Sequence, residues 1–291
     1  MDTEIDLMFT LPGILLSTGT QHSFTKIIMS LHPKPIRKST NINLDRIRCS
    51  VAEYCDFLPT DEMIWKSIRA ATVQRLTRIF LWKCIHNTSG KKKIATYNYW
   101  TNINTMEVRA LCPVCAVTHS MEHIALDCYA PASGQKQIWS LARELWEKKY
   151  DGWPRLNWGL ILGCNLIKFK SPQGKLIPEK ARLFAILTSV SFHLIWRLYC
   201  LRRYTNNNEI EKWPTETQIC NQWILVVNQA LRRDCILTDS CRFGASARQK
   251  ELVLRTWSGI LMNEDSLPDN WLYTSGVLVG MQPIKRAEGI G

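Results

Sequence analysis

The tightest constraint in this 291-residue chain is Cys112-Pro113-Val114-Cys115 followed by His123 and Cys128, a Cys-x2-Cys-x7-His-x4-Cys pattern. Two cysteines two residues apart close a knuckle whose sulfurs face one point, and a second short element must return an imidazole and a third sulfur to it. A Cys3His set of this kind is a closed tetrahedral zinc site. All four positions are filled by protein, so the expected Zn2+ is structural. Ser120 can cap a short helix over 121–126, which places His123 in its first turn and Cys128 just past its end. His119, inside the x7 loop, is a rival ligand. His123 is preferred because a residue at a helix start has a fixed direction, whereas His119 must reach from a turn. Glu122 and Asp127 read as exposed helix charges and not as a general acid and base.

Eleven cysteines make an odd count. Eight of them, Cys49, Cys55, Cys84, Cys164, Cys200, Cys220, Cys235 and Cys241, lie outside the pattern and read as buried or inert thiols. The alternative for Cys112, Cys115 and Cys128 is the same, unlinked small hydrophobes. With no regular framework spacing, a disulfide-stapled secreted scaffold is disfavoured and an intracellular chain, nuclear or cytoplasmic, is expected. The first apolar stretch, 7–16, follows acidic Asp2, Glu4 and Asp6, the opposite of a secretory n-region. The most apolar window, 183–195, holds Thr188, Ser189, Ser191 and His193 and is shorter than a bilayer span needs. It reads as a buried core helix, and no membrane partner is expected.

Periodicity predicts a mainly α fold: a helical domain with an inserted zinc knuckle, an irregular N-terminal lead-in and a C-terminal strap. Residues 1–58 have weak periodicity and read as a poorly ordered lead-in with one possible helix at 42–54. From a Thr60 cap followed by Asp61 and Glu62, the apolar positions Ile64, Ile68, Val73, Leu76, Phe80 and Ile85 predict one long helix through residue 86. Ile138, Leu141, Ala142 and Leu145 mark another helix, and 180–203 the apolar one. Thr215 with Gln218 forms a capping-box pattern ahead of Ile219, Trp223, Val227 and Leu231, and a last helix is predicted over 247–262. The polar loop 170–179 suggests an internal boundary, giving 59–170 as helix plus zinc region and 171–291 as a C-terminal helical region. The helix-borne tryptophans read as packing anchors more than base-stacking platforms.

The formal charge is +12, and it sits in two segments: 61–110 and 151–210 each carry nine basic and three acidic side chains. A surplus of that kind speaks of polyanionic partners. Its densest clusters are Lys91-Lys92-Lys93, close to Tyr97, Tyr99 and Trp100, and Arg202-Arg203. The three lysines are candidate phosphate contacts, although a solvated loop explains such a run as well. Lys34, Arg37, Lys38, Arg46 and Arg48 read as part of an exposed lead-in.

The run from Phe80-Leu81-Trp82-Lys83 through His86, Leu111-Cys112-Pro113-Val114-Cys115, Met121-Glu122-His123-Ile124, Cys128 and Ile138-Trp139 resembles the zinc-binding region of reverse transcriptases from LINE-type retrotransposons. The flanks at 59–67, Gly159-Leu160-Ile161-Leu162-Gly163-Cys164, Leu194-Ile195-Trp196-Arg197 and Thr256-Trp257-Ser258-Gly259 are similar to fungal members, in which this region follows a ribonuclease H domain. The likeness extends over about 24–281, with 59–165 its firmest part. Against that pattern, 89–98 looks like an insertion, and it carries the three lysines. Nothing matches a polymerase Tyr-x-Asp-Asp motif or the carboxylate set of ribonuclease H chemistry. The resemblance therefore implies a retained or truncated carboxy-terminal piece, non-catalytic, binding RNA or DNA backbone with little sequence preference. A structural remnant that docks a protein partner is the alternative.

Overall fold

The computed structural model describes residues 19–31, 37–87, 111–117, 119–130, 133–206 and 209–281. The chain divides into two compact units, 1–38 and 39–291. In the first, helix α1 (Gln21–Leu31) buries none of its residues, and Thr20 Oγ1 accepts the Ser23 amide at 3.2 Å at its start. The irregular lead-in expected here thus contains a helix, because a Thr cap precedes apolar Phe24, Ile27, Ile28 and Leu31 at helical spacing.

The second unit is mainly helical, with two isolated β-bridges and no strand among the described residues. Its helices are α2 (Lys38–Tyr54), α3 (Asp61–Ile68), α4 (Arg75–Ile85), α5 (Gln135–Glu147), α6 (Trp158–Leu162), α7 (Pro178–Cys200), α8 (Glu216–Ile236), α9 (Ser240–Phe243) and α10 (Lys250–Trp257). Helix α7 is the axis, packed against α4, α5, α6, α8 and α10 and against a π-turn at His123–Asp127. Pro178 opens it at a position where a missing amide hydrogen costs nothing. By length and composition the stretch Pro178–Thr205 could cross a membrane, but 78% of its most apolar window is buried by the rest of the chain. It is a core helix, wrapped on all sides as an all-round apolar helix must be.

Polar groups on α7 find partners on the helices around it. Ser191 accepts the Trp223 indole at 2.8 Å, and Thr77 Oγ1 meets His193 Nδ1 at 2.9 Å. Arg182 donates to Thr256 Oγ1 at 3.1 Å and to fully buried Asp234, which also accepts from Arg248 and, at 2.8 Å, from Trp257 Nε1. One carboxylate thereby joins α7, α8, α10 and the segment before α10. Trp146, Trp223 and Trp257 are fully buried, which makes them packing anchors.

The expected long helix 60–86 is two helices. The Thr60 cap is present, its side chain accepting the Met63 amide at 3.3 Å, but the helix stops after Ile68 and restarts at Arg75. Arginines hold the break open: Arg78 donates to the Arg69 carbonyl at 3.0 Å, Arg233 to Thr72 at 2.9 Å, and Arg248 to Ala71. Because the register resets, Leu76, expected inward, is 69% exposed. The last helix is likewise shorter than 247–262, ending at Trp257 ahead of Gly259 at φ 87°.

The division at 58/59 differs from what the structure shows. Leu44, Ile47 and Val51 of α2 are buried, and Asn43 Nδ2 donates to the last carbonyls of α4 at 3.0–3.2 Å while its Oδ1 accepts Trp158 Nε1 at 3.0 Å. Arg46 and Arg48, read as exposed lead-in charges, pair with Glu122 and with Asp45 and Asp61. Gly159 permits the close approach of α6 to α2, since a Cβ there would lie 2.1 Å from the Arg46 carbonyl oxygen. Nor does the core stop at 170, because one buried cluster runs from Leu44 to Met281. The C-terminal strap is irregular, as expected, and packs through Trp271, Leu272, Val279 and Met281, with Gly280 donating to Ile260 at 2.7 Å.

Two outcomes follow for stability. Asp234→Asn leaves two inward guanidiniums without their anion and should destabilise by about 3–5 kcal/mol, measured by urea unfolding followed through tryptophan fluorescence. Burial, assisted by Arg197, lowers the His193 pKa to about 4. Above pH 6.5 the group is neutral in both states and has no effect; below it the unfolded chain takes a proton that the folded one refuses. Stability should therefore fall between pH 6.5 and 4, by roughly 2 kcal/mol after allowance for partial exposure. His193→Gln should be less acid-sensitive than the parent across that window, and equal slopes would refute this.

Candidate metal centre

The knuckle forms because its backbone closes on itself. Ala116 donates to the Cys112 carbonyl at 2.9 Å and Cys112 to Val117 at 2.8 Å, with Ala116 in the left-handed region at φ 55°. The returning element starts at Ser120, whose hydroxyl accepts the His123 amide at 2.9 Å, the cap expected from the sequence. It then widens into the π-turn His123–Asp127, closed by Cys128 N–H to the His123 carbonyl at 2.8 Å. The wider turn carries Cys128 round to the side on which His123 sits.

The ligand atoms of Cys112, Cys115, His123 and Cys128 all lie within 4.8 Å of one another. Cys112 Sγ and Cys115 Sγ each stand 3.9 Å from Cys128 Sγ. A disulfide needs about 2.05 Å. A tetrahedral ion about 2.3 Å from each thiolate needs sulfurs about 3.8 Å apart, which is the spacing found. Cys112, Cys128 and His123 are buried and Cys115 partly so. His123 Nε2 is buried with no hydrogen-bond partner. An orphaned imidazole nitrogen facing three sulfurs is what a bound cation would satisfy. These residues could hold a metal ion.

The electrostatics agree. Burial raises the Cys128 thiol to about 11. At Cys112 burial also pushes upward, but the amides of Cys115 and Val114 and the neighbouring thiols outweigh it and bring the pKa below its ordinary value. The knuckle amides thus point where a thiolate charge would sit. Burial lowers His123, against the opposing pull of Asp127, so its imidazole is neutral and able to ligate.

His119 is the other histidine of the cluster, and it is not in the ligand set. It is 2% exposed, neither ring nitrogen has a partner, and its ring meets Tyr199 edge-on at 5.3 Å. Burial, then Arg203, His123 and Arg202, lower it to about 4. The supporting contacts were not legible in the sequence. Ser133 Oγ and Gln135 Nε2 both donate to the Cys128 carbonyl at 3.2 Å, Trp139 Nε1 donates to Ala125 at 2.8 Å, and Arg46 forks onto Glu122. Glu122, expected as a free helix charge, ties the hairpin to α2. Lys91, Lys92 and Lys93 lie outside the described residues. Arg202 of the second basic cluster is 2% exposed and faces inward.

No family model, curated protein or solved structure matches the chain. The knuckle itself yields a prediction. Ala116 occupies a backbone region that costs an L-residue about 1 kcal/mol, so Ala116→Gly should tighten metal binding by about fivefold. Competition with a chelator checks it, and a weaker site in the glycine variant would show that the turn carries no strain.

Proposed function

We propose that this chain is a non-catalytic, zinc-stabilised module derived from a LINE-type retrotransposon, and that it binds RNA or DNA backbone with little sequence preference. The observation that carries the proposal is the Cys112, Cys115, His123 and Cys128 cluster. Three sulfurs and one imidazole suit zinc better than harder cations, which prefer oxygen, and the thiolate spacing fits the zinc–sulfur bond length. With four protein ligands the ion has no open position for water, so its part is to hold the hairpin against α5 and α7. The resemblance of the motif and its flanks supports the ancestry, and the missing carboxylate motifs support the absence of chemistry.

The nucleic-acid half rests on the +12 charge. Arg182, Arg233 and Arg248 serve internal carbonyls or Asp234, so the phosphate contacts fall to exposed lysines and arginines and to Lys91, Lys92 and Lys93. A second reading, a structural remnant that docks a protein, is favoured by exposed Leu225, Ile236, Tyr273 and Leu278, all four lining a cleft between α8 and the strap.

One preparation tests both halves. Purified protein should carry one zinc, and Cys115→Ser should lose it together with much of its helical circular dichroism. Binding to single-stranded RNA or DNA should weaken about tenfold or more between 50 and 200 mM salt. Affinity indifferent to salt would remove the nucleic-acid half and favour the protein-docking reading, while protein free of zinc would remove the other.

A further inference from the structure

Arg202 is the least expected side chain near the metal centre. It lies in the π-turn Leu201–Thr205 directly after α7, is 2% exposed, and has no carboxylate partner among the ion pairs of the described residues. Its Nε and Nη1 are buried without hydrogen-bond partners. Its guanidinium lies over the rings of Tyr199, at 5.8 Å, and Trp213, at 5.2 Å. Ring faces attract a cation but do not neutralise it. A buried, unpaired guanidinium is among the most costly groups a fold can carry. By contrast, Arg182 and Arg248 share Asp234.

What lies on the other side of those rings is the metal cluster. His119 meets Tyr199 at 5.3 Å and His123 at 6.1 Å, ring centre to ring centre. Two rings, Tyr199 and His119, thus lie between Arg202 and His123. Of the other charged groups in reach, Asp127 acts on His123 but is exposed, and Arg203 acts on His119. Three thiolates and a neutral imidazole around a divalent ion leave one net negative charge. A loaded centre would thus be a buried monoanion two rings away from a buried cation, and no ion pair among the described residues gives Arg202 a carboxylate.

We infer that Arg202 is the counter-ion of the metal centre, a positioning residue whose fixed positive charge balances the excess negative charge of a divalent ion held by Cys112, Cys115, Cys128 and His123. This rests on the metal reading of the cluster and adds to it a residue 74 positions beyond the last ligand. The guanidinium touches no ligand-exchange step. It makes the loaded centre neutral, which tightens the ion and blunts the nucleophilicity of the bound sulfurs.

The test compares full-length wild type with Arg202→Met and Arg202→Lys. Zinc affinity is read by chelator competition, and the bound thiolates by their rate of alkylation with iodoacetamide in zinc-loaded protein. Arg202→Met should bind zinc about 10–100-fold more weakly and be alkylated faster, with a shifted sulfur-to-metal band in the cobalt form. Arg202→Lys, keeping the charge, should stay within about threefold of wild type on both readouts. If Arg202→Met does not fold, Arg202→Gln carries the same comparison with a polar neutral head. Wild type that binds zinc while the neutral variant binds it equally well overturns the counter-ion and leaves the metal site standing. A lysine variant as weak as the neutral one also overturns it, since shape and not charge would then matter. Wild type without zinc overturns the metal reading and this inference together.

Discussion

The structure depends on a helix with no solvent face. Helix α7 is apolar around nearly its whole circumference, so it folds only if other elements enclose it, and the chain supplies them from both sides in sequence: α4, α5, α6 and the π-turn from before it, α8 and α10 from after. Hydrophobic burial drives that enclosure but does not by itself choose a register. The few polar side chains on α7 do. Arg182, Ser191 and His193 meet partners on α8 and α10, on α8 and on α4 respectively. A shift by one residue would bury each of these groups unpaired, a larger penalty than the loss of some apolar contact.

The metal hairpin occupies the one stretch of α7's surround where the chain has little regular helix to offer. Residues 111–130 contain a turn and a π-turn, neither long enough to be stable alone. Met121, Ile124 and Ala125 reach the common core, but Cys112, Cys128 and Ala130 form a separate small cluster. That cluster is too small to order the hairpin by burial. Four ligands on one ion would supply the missing rigidity, and the surrounding contacts show the scaffold built to receive them: carbonyls of Cys128 and Ala125 are held by Ser133, Gln135 and Trp139.

What the sequence revealed and what it hid divide along physical lines. The Cys112, Cys115, His123 and Cys128 cluster was legible because ligation demands particular atoms at a short chain spacing, and the Ser120, Thr60 and Thr215 caps because a cap acts within three residues. The all-apolar core helix was legible from composition. The break at 69–74 was not, because its cause lies far along the chain: Arg233 and Arg248 satisfy carbonyls that a continuous helix would have satisfied itself. Local periodicity favours the continuous helix, and distant donors override it. Arg46 on Glu122 is hidden for the same reason, 76 residues separating the partners.

Net charge was the feature most easily over-read. A count of basic residues treats every arginine as surface potential, yet Arg182, Arg202 and Arg248 are largely withdrawn from solvent and Arg233 is turned onto a loop carbonyl. Guanidinium suits such duty, with its planar fork of donors and weak hydration, while a lysine ammonium resists burial. The basic excess at the surface is therefore smaller than the count suggests. Arg182, Arg202, Arg233 and Arg248 are drawn into the architecture, where they hold a carboxylate, carbonyls and ring faces, while Arg75, Arg143, Arg155, Arg197 and Arg232 stay exposed.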